Sequence, residues 1–327
     1  MTRHLDLLAL PDTTAPVEVV IDTDVLNEVD DQFAIVWALL RPDRLRVRAL
    51  LACPWASSPE LYARADVDPM ADRTSKDLTD RRVQTIGPEQ GVALSVGELH
   101  KIADLVGVDV PVWSGSPSWM VDEQTPVRSE GVDALVALAH EQREGPLYVV
   151  AIGAATNLAS AVLQDPSIRE RICVVWTSAY PTWWPRPNAS YNLTGDLHAS
   201  RVLLDSGVPL VYVPGFYVGE ELRVGRLELE AHVRGKGPLG DYLWSTFADH
   251  WMSGSERPGF SKVIWDLVCV AWLLDPTLLP SDLQPTPVLG PDLRWEHPEG
   301  RPQLREAWDV DRDRIFADLY RVLGERE

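Results

Sequence analysis

Between residues 17 and 215, short apolar runs alternate with longer segments of helical pattern, and that alternation leaves few architectures open to the chain. "VEVVI" (17–21), "LRVRALLAC" (45–53), "PLYVVAIGA" (146–154), "ICVVWTSA" (172–179) and "VPLVYVPG" (208–215) are short, apolar and rich in β-branched residues, so they read as buried strands. "VPVWSG" (110–115) is a shorter β-like piece. The segments between them read as helices: "DQFAIVWALL" (31–40), "EQGVALSVGELHKIADLVG" (89–107), "SEGVDALVALAHEQREG" (129–145), "TNLASAVLQDP" (156–166) and "DLHASRVLLDSG" (196–207). Arg41-Pro42 stops the first, because proline cannot continue a helix, and Gly107 closes the second as a C-cap. Strands alternating with helices predict an α/β fold, a mostly parallel central sheet flanked by helices on both faces. We expect one domain over residues 1–327, with ligands bound beyond the carboxyl ends of the strands. Residues 54–90 have weak periodicity and many turn residues and read as a long loop or lid beside the site. A later helix, "LGDYLWSTFADHW", leads into the loop "MSGSERPGFSK".

Charge narrows the partners. Thirty Lys and Arg against 49 Asp and Glu give a net charge of −19, the wrong sign for gripping phosphate backbones or anionic lipid, so neither nucleic acid nor a membrane surface is expected as a partner. No apolar stretch approaches the ~18 residues of a spanning helix, and "MTRHLDLLALPD" has no cleavage-site pattern, which points to a cytoplasmic protein. Cys53, Cys173 and Cys269 sit among apolar neighbours without metal or redox spacing and read as buried thiols. Thirteen Trp against five Phe is unusual, and Trp55, Trp119, Trp183 and Trp184 fall in loop-like stretches, where flat indoles suit a stacking surface as well as core packing.

The chemistry gathers in "VVIDTDVLNEVDDQFAIVWALL" (19–40), where Asp22, Asp24, Glu28, Asp30 and Asp31 fall within ten positions at the end of a buried strand. A helix N-cap accounts for one of them. Carboxylates held close together raise one another's pKa unless a cation compensates, so a hard divalent ion is the economical partner. The spacing is not that of an EF-hand: Asn27 stands where the loop glycine belongs and Phe33 where the bidentate Glu belongs. "IDTDV" also looks like the opening of the haloacid dehalogenase phosphatases. That reading needs a later Ser or Thr, a Lys and a second acidic pair, and the chain has four lysines, Lys76, Lys101, Lys236 and Lys262.

Taken in order, the motifs resemble those of the nucleoside hydrolases, the inosine/uridine-type enzymes that cleave ribonucleosides to base and ribose. "DTDVLNEVDD" is similar to the family's D-x-D-x-G-x-D-D, two residues longer and without the Gly. "EQGVALSVGELHKIADLVGVDVPVWSGSPSWM", "AIGAATNLASAVLQDP", "SYNLTGDLHASRVLLDSGVPL" and "VIWDLVCVAWLLDP" resemble the family's later segments in the same order, over roughly residues 17–280. The resemblance implies a Rossmann-like fold and a calcium ion held by Asp24, Asp31, the Thr156 carbonyl and Asp266. It implies Asp24 as general base for the attacking water, Asp22 behind the ligands, and Asp30, Asn192 and Asp266 on the ribose hydroxyls. Where many members carry a His before the late Asp, this chain has Trp265, as purine-specific members do. Trp265 would activate the leaving base by stacking, with Trp119 or Trp183 across the base. Ser190 replaces the Glu that binds the 5′-hydroxyl in relatives, and Pro54-Trp55 replaces a Gly-Asn. The expectation is therefore calcium-dependent hydrolysis of the N-glycosidic bond, leaning to purine nucleosides, by a homodimer or homotetramer as in relatives. A nucleoside- or ribose-binding protein that has lost catalysis is the alternative from another class.

Overall fold

A computed structural model describes residues 2–9, 11, 14–58, 84–249 and 259–325. Most of the expected lid (59–83) and most of the loop after the late helix (250–258) lie outside the described residues. At the base of the lid segment, Ser57 and Ile86 form an antiparallel bridge.

The helix Thr2–Leu7 (α1) precedes the first strand, Val17–Thr23 (β1). Then come Asp30–Leu39 (α2), Leu45–Ala52 (β2), Pro88–Val106 (α3), Val112–Ser114 (β3), Glu130–Ala139 (α4), Leu147–Ala151 (β4), Thr156–Gln164 (α5) and Ile172–Ser178 (β5). Tyr191–Gly195 (α6), Leu197–Asp205 (α7), Leu210–Pro214 (β6), Arg223–Gly225 (β7), Arg226–His232 (α8), Gly237–Asp249 (α9), Ser261–Val263 (β8) and Leu267–Leu274 (α10) follow. The chain ends with Ser281–Pro285 (β9), Val288–Leu289 (β10), Trp295–Glu296 (β11), Gln303–Ala307 (β12) and Arg312–Gly324 (α11).

Among the described residues the main sheet has eight strands in the order β3-β2-β1-β4-β5-β6-β12-β9. Neighbours pair in parallel except β9, which runs antiparallel to β12 at the edge. The expected architecture is present, with helices on both faces. Along β1 the side chains alternate between two cores: Val19 and Ile21 join the cluster beneath α2, α3, α9, α10 and α11, and Val20 joins the one beneath α4, α5 and α7. Burial on both faces is why these strands read as unbroken apolar runs.

Strand order reverses between β1 and β4, which opens a crevice at their carboxyl ends. Two helices that start at that crevice are unusual. Every residue of α2, including Asp30, Asp31 and Gln32, is buried, and so is every residue of α10, "LVCVAWLL"; the two pack on each other. A helix apolar all round is enclosed by protein, so polar residues at its first turn face a site rather than bulk water.

Gly107 adopts the left-handed conformation (φ 75°) that ends α3, and Ser129 caps α4 by accepting from the Val132 amide. The three cysteines are free, buried thiols. Among the described residues no helix is long and apolar enough to cross a membrane.

Candidate active site

β1 delivers Asp22 into the crevice, and the loop behind it delivers Asp24. Asn157, in the first turn of α5, donates its side-chain amide to Asp22 (2.7 Å) and to the Ala52 carbonyl at the end of β2 (3.1 Å), and its carbonyl oxygen accepts from the Ser116 amide (2.7 Å). One amide thus ties together the ends of β1, β2 and β3. The other Asp22 oxygen has no partner among the described residues, and burial pushes this carboxyl up to about 7.

Three carboxylates converge at the start of α2 and α10. Oxygens of Asp30, Asp31 and Asp266 lie within 4.8 Å of one another, all buried. None serves as a helix cap: the N-cap of α2 is Val29, and Asp266 precedes α10 without a side-chain capping bond. Asp31 accepts from the Thr23 hydroxyl (2.5 Å), while Oδ1 of Asp30 has no partner among the described residues. Burial, then the neighbouring carboxylates, raises the pKa of Asp24, Asp31 and Asp266 well above the ordinary range, and burial with Glu28 close by does the same to Asp30. Buried acids with an unsatisfied oxygen and all-oxygen chemistry fit a hard divalent cation.

The convergence includes Asp30, where the resemblance implied Asp24. Asp24 stands alongside, within electrostatic reach of Asp30, Asp31 and Asp266, but one of its oxygens accepts from the Asn27 amide (3.0 Å). Asn27 belongs to the loop that is two residues longer than the family pattern. In the same loop Leu26 has a left-handed backbone (φ 81°), strained for a residue with a Cβ. Gly153, two residues past the end of β4, closes the site: a Cβ there would lie 2.9 Å from Asp24 Oδ1 and 2.5 Å from Cys53 Sγ.

Among the described residues, one cation is built into the cluster. Lys262, on β8, is buried, forms an ion pair with Glu28 and lies within electrostatic reach of Asp30 and Asp266; those carboxylates hold its pKa up against burial. The sequence pattern shows this lysine without placing it. Its signal is position: a rare Lys four residues before a candidate ligand.

Thr156 opens α5 beside Asn157, with its hydroxyl donated to Asp196 (2.8 Å). Asn192, near the start of α6, donates to the Ile152 and Thr177 carbonyls (3.1 Å each), bridging the ends of β4 and β5 at the same rim. Trp265, next to Asp266, is half-buried and meets Phe216 edge-on (centroids 5.5 Å, 70°). Nothing in the sequence pattern marks Phe216 for this position. No ring contact joins Trp119 or Trp183 to Trp265 among the described residues: Trp119 lies near Gly195, and Trp183 is 62% exposed against Trp184 and Tyr217. Trp55 is core rather than stacking surface; its indole donates to Ser95, which in turn donates to the Val25 carbonyl of the acidic loop.

A family model described as inosine-uridine preferring nucleoside hydrolase matches residues 19–317. The pyrimidine-specific ribonucleoside hydrolase RihB of Escherichia coli is 27% identical over 184 residues, 52% of this chain and 53% of that protein, so this chain spans about half the length of the curated relative it matches. Among solved structures, the plant nucleoside hydrolase PpNRh1 superposes with a TM-score of 0.68 at 21% identity, covering 94% of this chain and 99% of that one. The purine-preferring ribonucleoside hydrolase from Gardnerella vaginalis gives 0.66 at 17%, covering 94% and 98%. These identities speak to the fold, and the family match, which spans most of the sequence, to descent. The chain belongs to the inosine-uridine preferring nucleoside hydrolase family.

Proposed function

We propose that this chain hydrolyses the N-glycosidic bond of a ribonucleoside, with calcium as its metal and with purine nucleosides favoured. Family membership sets aside the haloacid dehalogenase reading. The observation that carries the proposal is the meeting of Asp30, Asp31 and Asp266 at the start of two enclosed helices, none of them used as a cap.

In this reading Asp24, Asp31, Asp266 and the Thr156 carbonyl hold the ion, with Asp30 close enough to share it. When bound, calcium lowers the pKa of the attacking water and clamps the ribose diol. Asp24, steadied by Asn27, accepts the proton of that water. Asp30, Asn192 and Asp266 hold the ribose hydroxyls, and the negative charge around them favours the oxocarbenium-like sugar that forms as the base departs. Trp265, with Phe216 at its edge, faces the base, and stacking eases protonation of the base from solvent. The purine preference rests on that indole. The relative RihB is named pyrimidine-specific, so the base is decided by assay.

The test is release of free ribose from inosine, guanosine, adenosine, uridine and cytidine, with calcium and after chelation. We expect turnover with calcium, fastest for the purines. Asp24→Asn should lose about 10²- to 10⁴-fold in kcat, the range of general-base catalysis, with its melting temperature unchanged or raised. Ribose from none of the five nucleosides, or near-normal turnover in Asp24→Asn, overturns the reading.

A further inference from the structure

Next to the cleft lies a set of rings that the cleft does not use. From Trp265 the contacts run outward through Phe216 to Tyr180 (4.2 Å, stacked) and Trp184 (4.6 Å, stacked), and end on Trp183 and Tyr217, which meet edge-on at 5.1 Å. The outer two are 62% and 45% exposed. An exposed ring on a slack loop would mean little, but this one is fixed from below. Thr182, the neighbour of Trp183, donates its amide (2.7 Å) and hydroxyl (2.6 Å) to the buried Glu306 of β12, and its carbonyl bonds His297 (2.9 Å). The Tyr180 carbonyl accepts from both Tyr212 (2.7 Å) and Trp295 (3.3 Å), and Asn188 bonds the Leu293 carbonyl (3.0 Å). Ala179 (φ 41°) and Tyr217 (φ 71°), on either flank of the patch, hold left-handed backbone conformations, the sort of strain found at ligand clamps.

The patch joins the site at two places. Phe216 abuts Trp265 beside Asp266, and Ser190, two residues before Asn192, accepts from the Ala179 amide (2.8 Å). It also carries a cation: the Arg186 guanidinium lies over the Trp184 ring at 5.9 Å, and no ion pair is seen for it among the described residues of a chain whose net charge is −19.

We infer that these rings form a second stacking subsite for the outer part of a substrate larger than a nucleoside, namely a planar ring next to an anionic group. This rests on the function proposed above. A ribose gripped through its 2′- and 3′-hydroxyls can be extended only from the base or the 5′ position, and an anion for Arg186 selects the 5′ phosphodiester. The substrate class is therefore a nucleoside joined through its 5′-phosphodiester to a second nucleoside, whose base stacks on Tyr217 with Trp183 at its edge.

The probes are adenosine, adenosine 5′-monophosphate and cytidylyl-(3′→5′)-adenosine. We expect kcat/KM for cytidylyl-adenosine to exceed that for adenosine by ~5-fold or more, the lower end of what one base–aromatic stack supplies. Tyr217→Ala and Arg186→Ala should abolish that gain and leave adenosine hydrolysis within about twofold. Calorimetric titration of cytidylyl-adenosine into Asp24→Asn protein, with and without Tyr217→Ala, reads the same subsite without turnover. Tyr217-dependent binding there with no ribose released by the wild type would refute the hydrolase reading and keep the subsite. Equal affinity for adenosine and cytidylyl-adenosine, or no effect of either substitution, overturns the subsite. So does a change of oligomeric state in Tyr217→Ala with unchanged affinity, which would make the patch a contact between copies.

Discussion

Gly153→Ala puts one methyl group where the site has no room. The added carbon would stand 2.5 Å from Cys53 Sγ and 2.9 Å from Asp24 Oδ1, where ordinary contacts are about 3.5–4 Å. Both neighbours must retreat by up to about 1 Å, and both are enclosed, with Cys53 also pinned by the hydrogen bond its backbone N–H donates to the Thr23 carbonyl (2.8 Å). Overpacking of this kind costs ~1–3 kcal/mol, and two immobile neighbours put the figure at about 2–3 kcal/mol, roughly 30- to 150-fold in the unfolding equilibrium. Urea melts followed by tryptophan fluorescence read that loss directly. Adding Cys53→Ala removes the sulfur but leaves Asp24 against the new methyl. The double variant should therefore recover stability to within ~1 kcal/mol of Cys53→Ala alone, while calcium affinity stays about tenfold weaker than wild type. A Gly153→Ala protein that melts within ~0.5 kcal/mol of wild type would refute the packing argument. Recovery of calcium affinity together with stability in the double variant would refute the placement of Asp24 beside the ion.

Two further outcomes follow from the same site. In chelated protein the carboxyls of Asp22, Asp24, Asp30, Asp31 and Asp266 bind protons more tightly folded than unfolded, so their contribution to stability is greatest below the ordinary Asp pKa of about 4. It should fall as pH rises, through about 7 for Asp22, and saturating calcium should flatten that slope; thermal melts from pH 4 to 8 with and without chelator check it. In the ion pair of Lys262 with Glu28, Lys262→Met should cost the chelated protein ~3–5 kcal/mol because Asp30 and Asp266 lose their cation as well, Glu28→Gln about 1 kcal/mol, and the double variant less than the sum. Additive losses in that cycle would mean the two side chains act independently.

Repeating patterns made most of the fold legible. β1, β4, β5 and β6 are apolar because helices cover both sheet faces, and α3 ends at Gly107 as its spacing predicts. β9 and β12 show no apolar run: β9, "SDLQP", has no fully buried residue, and β12, "QLREA", sends Leu304 to one core and Ala307 to the other across charged neighbours. For the site, the crowding of aspartates was visible because strand end and helix start are adjacent in sequence. What Asn27, Lys262 and Phe216 do was not, since each acts through the folded chain: Lys262 meets Glu28 from 234 positions away. Trp183 shows the other limit. Sequence marked it as a stacking residue, but whether an indole faces inward or outward depends on Glu306 gripping the residue before it, from a strand 124 positions on.

The lysine lodged among the acids is a counter-charge the protein cannot lose. The ammonium of Lys262 belongs to the polypeptide, so under any ionic conditions part of the crowded negative charge meets a tethered partner. One ammonium already paired with Glu28 leaves most of the cluster unanswered, and that remainder is what a divalent cation or added protons would offset.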